Sequence, residues 1–201
     1  MAITPLHPLL ANRLTDHRQE LVSLLRSYAL TVAPEGKAFK LTSGRTSPYL
    51  FVLKRLMFMP HAAPLIAEAF LHQLQRMEAK QIGGLEGGAI PLIATIIAHA
   101  ETEGLEHMRG CYVRHTPKSF GPNTLVDGWF EPEATTIIIE DITTTGTNVL
   151  KAAEALRASN SPVKQAVCLL DRGEGAQEML ASYGIELIPL VTLSDFNLHQ
   201  K

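Results

Sequence analysis

The chain has 201 residues, of which 46% are hydrophobic and 19% charged, and its formal net charge is -2. That length can bury an apolar core as one domain, and with no basic block the electrostatic footprint of a nucleic-acid binder is missing. The longest apolar run, residues 89–98, is too short to cross a bilayer. The opening MAITPLHPLLANRL lacks the basic-then-apolar order of a secretory leader. A cytoplasmic protein with no membrane partner is expected. Cys111 and Cys168 lie in apolar stretches outside any Cys-x-x-Cys pair, which points to two buried thiols rather than a disulfide. The eight histidines show no metal-ligand spacing.

Residues 14–28 set Leu14, Leu21, Leu25 and Tyr28 on one helical face. Between 30 and 56, the β-like pieces AFKL and PYLFVLK flank the turn signal SGRTSP. Residues 63–77 carry an amphipathic stripe through Ile66, Phe70, Leu74 and Met77. Short apolar runs then alternate with helical stretches. They are IGGL (82–85), a helix from Ile90, CYVR (111–114), TTIIIE (135–140), a helix from Thr147, AVCLL (166–170), a helix near 174–182 and IELIPL (185–190). Such alternation with β-branched, continuously apolar strands predicts an α/β fold with a central parallel sheet flanked by helices. We read one domain, 1–201, with a small β-containing hood (about 1–60) over a core (about 61–201). Ligands of such sheets bind beyond the carboxyl ends of the strands.

The most informative stretch is IIIEDITTTGTNV, 137–149. A buried strand leads to two adjacent acids, Glu140 and Asp141. Thr143, Thr144, Thr145 and Thr147 then offer hydroxyls at a helix start, where free N–H groups and the helix dipole favour an anion. Gly146 lets the backbone turn tightly. No lysine stands in the turn, so it is not a Walker-type loop. The acids would be costly if stranded without partners; at a strand end they can accept hydrogen bonds from the vicinal hydroxyls of a ribose. The competing reading is a Thr-rich helix cap beside two solvated acids.

This stretch resembles the signature of type I phosphoribosyltransferases, which bind phosphoribosyl diphosphate. The resemblance implies that Glu140 and Asp141 hold the ribose hydroxyls and that Thr143 to Thr147 hold the 5′-phosphate. FKLTSGRTSPYLF (39–51), IGGLEGGAIPLIA (82–94), YVRHTPKSFG (112–121) and LLDRGEG (169–175) follow the order and spacing of the orotate phosphoribosyltransferase family, and the similarity runs from about residue 20 to 190.

Within that resemblance, Gly83, Gly84, Gly87 and Gly88 form a turn before a helix, and its N–H groups imply a contact with the donor's diphosphate; alone, the turn would be an ordinary tight one. The connection 115–128 implies a lid. Arg114 and Lys118 would meet the charge on departing diphosphate, with His115 beside them; alone, they would be solvated cations. In this family the loop closes over a neighbouring subunit's site and its lysine is catalytic, so a homodimer with shared active sites is implied. Arg172 and Thr144 are expected to hold orotate, whose carboxylate suits a guanidinium fork, with Thr42, Leu50 and Phe51 at the base. The competing role for Arg172 is an ion pair with Asp171 or Glu174. The family usually carries lysine at Thr42 and His115 and histidine at Phe120; Lys40 or Arg45 is a nearby cation that could substitute.

The implied reaction joins orotate to phosphoribosyl diphosphate, giving orotidine 5′-phosphate and diphosphate. Mg2+ is the implied cofactor, held mainly through the substrate, with Asp141, Arg114 and Lys118 as the catalytic set. Two alternatives remain: a related transferase using another base, and a non-catalytic sensor of phosphoribosyl diphosphate.

Overall fold

The structure, a computed structural model, describes residues 8–40, 44–117 and 125–198, with the backbone alone for 8–16. Thr42, Lys118 and Phe120 therefore lie outside the described residues. The chain opens with helix α1 (Pro8–Tyr28) and two short antiparallel pairs. Strand β1 (Leu30–Val32) pairs with β4 (Tyr49–Phe51), and β2 (Phe39–Lys40) with β3 (Thr46–Ser47). PYLFVLK is β only through Phe51; Leu53–Phe58 turns into a 3-10 helix. The helical periodicity there is set by packing, since Leu53, Leu56 and Met57 are the buried residues.

Helix α2 (Ala62–Arg76), strand β5 (Gln81–Gly83), helix α3 (Ala89–Ala100), strand β6 (Arg109–Val113) and strand β7 (Val126–Gly128) follow. Then come β8 (Thr136–Thr143), α4 (Thr147–Ala158), β9 (Gln165–Asp171), α5 (Ala176–Ser182) and β10 (Glu186–Thr192). The main sheet has the order β10-β9-β8-β5-β6-β7. All its pairings are parallel except β6 with β7. The end of the expected lid segment thus belongs to the sheet, because β7 closes the edge that β6 would otherwise leave open.

Helices cover both faces. Ile137, Ile139 and Val167 share one apolar cluster with Leu21, Leu25, Ile66, Phe70, Leu92 and Ile96, from α1, α2 and α3. Ile138, Ala166 and Cys168 face the other cluster, with Val149 and Leu156 of α4 and Leu180 of α5. A strand buried on both faces has no use for polar alternation, which is why β8 and β9 read as unbroken apolar runs. The apolar residues of α1 belong to the same cluster as the sheet, so the N-terminal segment is packed onto the core rather than separate from it. Cys111 and Cys168 are buried free thiols, as expected, and burial pushes both pKa values up to about 12. Among the described residues, no helix is long and apolar enough to cross a membrane.

Candidate active site

A cleft of about 650 Å³ opens where β5 and β8 end, between the Gly-rich turn, the Thr-rich turn and the 3-10 segment. Its floor is the run Glu140 to Val149. Its walls are Phe51 to Lys54 on one side, and Leu85 to Gly88 with His115 on the other.

The acids sit differently from the expectation. Strand β8 does not stop before them; it continues to Thr143, and Glu140 and Asp141 are only 4% and 9% exposed. They are tolerated because the strand stops alternating there. Ile139 and Ile142 both face the α2–α3 cluster, although they are three residues apart. The side chains of the acids accept local backbone N–H groups, Asp141 to Glu140 Oε1 at 3.1 Å and Ile142 to Asp141 Oδ1 at 2.9 Å. Burial holds the Glu140 carboxyl well above the usual carboxylate range, the hydrogen bond and charge of Asp141 push it the same way, and Lys54 partly offsets them.

Glycines let the floor and wall approach. A Cβ on Gly88 would lie 2.5 Å from the Asp141 carboxylate, and one on Gly84 would meet the Ile139 carbonyl and lie 2.6 Å from Ala89 Cβ. Gly146 has φ +80°, and a Cβ there would lie 2.8 Å from Met179 Cε. It starts α4 in a left-handed conformation that a side chain rarely adopts, which delivers the helix N-terminus to the cleft. Thr145 and Thr147 share a hydroxyl contact of 2.9 Å at its mouth, and Thr144 lines the cleft beside them. The Thr143 hydroxyl, by contrast, donates to Asp171 Oδ1 at 3.1 Å and is buried, because the residue is still paired with Asp171 in the sheet. Its side chain braces β8 on β9.

Three expected residues lie away from the cleft lining. Leu50 alternates with Phe51 along β4, so only Phe51 lines the space. Arg114 is half-buried against Asp127, 3.8 Å from Oδ2, and donates to the Thr116 carbonyl at 3.3 Å. The pairing of β6 with β7 brings Asp127 there. Arg172 is 6% exposed and takes the ion-pair role: Nε donates to Glu174 Oε1 at 2.7 Å, Nη2 to Ser47 Oγ at 3.0 Å and Nη1 to the Tyr49 carbonyl at 3.4 Å. Those bonds use three of a guanidinium's five N–H groups. Its carbon centre lies 6.0 Å from the Phe51 ring, directly behind the cleft wall. Arg45 is 3.7 Å from the other Glu174 oxygen, Oε2, and Lys40 is exposed on β2.

No family model matches the chain. It is 31% identical over 185 residues to the orotate phosphoribosyltransferase of Methanocaldococcus jannaschii, covering 92% of this chain and 99% of the relative. The chain belongs to the orotate phosphoribosyltransferase family. The orotate phosphoribosyltransferase of Aquifex aeolicus is 34% identical over 178 residues, covering 89% of this chain and 96% of that one. Among solved structures, the orotate phosphoribosyltransferase of Mycobacterium tuberculosis superposes with a TM-score of 0.74 at 26% identity, covering 90% and 99% of the two chains. That of Aeropyrum pernix gives 0.71 at 27%, covering 88% and 96%.

Against the sequence reading of this family member, the structure adds Lys54 and Glu86. Lys54 lines the cleft near Glu140, with Nζ 3.8 Å from where a Gly87 Cβ would stand. Glu86 Oε1 accepts the His115 backbone N–H at 2.6 Å and so holds the start of the 115–128 connection on the cleft wall. A lysine closing the apolar run PYLFVLK was the available signal for the first; the second joins residues 29 apart, and no local pattern announces it.

Proposed function

We propose that this chain transfers the phosphoribosyl group of phosphoribosyl diphosphate to orotate, giving orotidine 5′-phosphate and diphosphate. The observation that carries this reading is the cleft floor, where two buried carboxylates run directly into a Thr-rich helix start. Thr144, Thr145 and Thr147, with the N–H groups around Gly146, would receive the 5′-phosphate. Glu140 and Asp141 would accept hydrogen bonds from the 2′- and 3′-hydroxyls and fix the sugar. Gly87 and Gly88 leave room for the diphosphate, and Lys54, His115 and Lys118 would carry its charge. Arg114 would assist after release from Asp127. Oxygen donors of this kind fit Mg2+, which when bound would neutralise the departing diphosphate. The transfer needs no covalent enzyme intermediate; it rests on positioning and electrostatics. The anionic N1 of orotate would attack C1′ as the C1′–O bond to diphosphate breaks. Phe51 and Thr144 would bracket the base. Arg172, whose bonds to the described residues use three of its five N–H groups, would offer the other two to the orotate carboxylate. The reading includes a cytoplasmic homodimer with shared sites.

A panel of bases tests it. With phosphoribosyl diphosphate and Mg2+, diphosphate release is expected with orotate and with no other common nucleobase. Release only with another base would sink the orotate assignment, and the ion pair of Arg172 with Glu174 would then be its reason. Donor binding without turnover for any base would make the chain a sensor.

Burial gives a second expected result. Glu140 holds its proton above the pH at which a free carboxyl loses it. Donor hydroxyls bind the anion, so donor binding should release a proton and strengthen as pH rises through the Glu140 pKa. Below that pKa the affinity falls. Calorimetry in buffers of different ionisation enthalpy reads the proton directly. The unfolded chain releases this proton at lower pH, so the contribution of Glu140 to stability falls as pH rises through the same window. Unchanged heats across buffers would contradict the assignment.

A further inference from the structure

Outside the cleft lining, α1 brings a histidine to a glutamate and a histidine that stand four residues apart on α2. His17 Nε2 lies 3.3 Å from Glu68 Oε1, and His72 Nε2 lies 4.0 Å from the same oxygen. His72 Nε2 is also 3.7 Å from Glu103 Oε2, in the 3-10 turn Glu101–Glu103 after α3. One ligand atom from each of His17, Glu68 and His72 falls within 4.8 Å of the others. Gln75 donates to the Glu103 carbonyl and anchors that turn on α2.

We propose that His17, Glu68 and His72 bind a divalent cation of the zinc class, with Glu103, 3.7 Å from His72 Nε2, turning in as the fourth donor. The separations are long for charge-assisted hydrogen bonds, which run about 2.7–2.9 Å. The 3.3 Å between His17 and Glu68 matches the edge of a tetrahedron of donors, about 3.3–3.4 Å for bonds of 2.0–2.1 Å, and the wider separations, up to 4.8 Å, would contract around one ion. Among the described residues, His17 Nδ1, the ring nitrogen that does not contact Glu68, is buried without a partner. With neutral imidazoles the two carboxylates leave the group net negative. The histidine side chains are only 12% and 8% exposed, whereas Glu68 and Glu103 are 41% and 30% exposed and leave a path in from solvent. Imidazole with carboxylate suits Zn2+ and disfavours Mg2+, so this site and the cleft would sort metals between them. A bound ion would clip α1 and the Glu101–Glu103 turn onto α2.

Titration of the full chain with Zn2+ by calorimetry, and with Co2+ by visible absorption, tests the proposal. One Zn2+ per chain with a Kd on the order of micromolar or tighter is expected, together with a Co2+ spectrum of tetrahedral nitrogen–oxygen ligation and a melting temperature raised by Zn2+. His17→Gln and Glu68→Gln should each weaken Zn2+ at least about 10-fold, while Asp141→Asn in the cleft leaves it unchanged. Glu68 is partly exposed, so its variant keeps the test valid if His17→Gln fails to fold. Zn2+ affinity unaltered in Glu68→Gln, affinity lost in Asp141→Asn, or no saturable binding would each overturn the proposal.

Discussion

Asp141→Asn is expected to lower affinity for phosphoribosyl diphosphate by about 100-fold or more, since hydrogen bonds to a charged group contribute roughly 1.5–3 kcal/mol each and two hydroxyls would lose the charge. The fold should persist, because an asparagine Oδ1 can still accept the Ile142 N–H that Asp141 accepts at 2.9 Å. Glu140→Gln should weaken the donor similarly, yet lose the fall in stability with rising pH that Glu140 causes, since an amide has no proton to release. Calorimetric titration of the donor with thermal unfolding of both variants separates binding from stability. Near-wild-type donor affinity in Asp141→Asn would dismiss the role given to the acids.

Gly84→Ala and Gly88→Ala should part company although they are four residues apart. The new methyl at Gly84 meets the backbone carbonyl of Ile139, in the middle of the central strand, and Ala89 behind it. Neither can yield. A loss of about 3 kcal/mol is expected, or a melting temperature lower by roughly 6–12 °C for a chain of this size. The three atoms nearest the methyl at Gly88 all belong to the Asp141 carboxylate, and the backbone there is already right-handed helical. Its melting temperature should stay within about 3 °C of wild type, while donor affinity falls about 10-fold or more because the carboxylate must turn away. Equal stability in the two variants would mean that the sheet is softer at Ile139 than its burial implies.

Much of this was legible in the sequence for a physical reason. Strands buried on both faces must be apolar throughout, so β8 and β9 announced themselves, and the Thr-rich turn could be placed on α4 from Gly146 onward. Strand ends were less legible. Acids normally close a buried strand, but here Glu140 and Asp141 satisfy backbone N–H groups and let β8 run on to Thr143. The partners of cations were harder still. Arg172 finds Glu174 two residues on, a pairing the sequence left open, but its bonds to Ser47 and Tyr49 span more than 120 residues. His17 and His72 show no spacing in the chain because two helices, not one motif, bring them together. Thr42 and Phe120, two of the three positions where the chain departs from the usual residues of the family it resembles, lie outside the described residues, as does Lys118; the third, His115, lines the cleft.

The acids and the phosphate turn lie on one strand and the turn that ends it, without an intervening hinge. Their spacing is fixed by covalent geometry and by pairing with β9. The wall from Phe51 to Lys54 belongs to a different part of the chain and lies outside the main sheet that carries the floor. Evolution can therefore retune which base is accepted by altering the wall, and leave the sugar-phosphate grip untouched. The floor itself tolerates no insertion or deletion, because one residue more or less in β8 would carry both carboxylates away from the turn they serve.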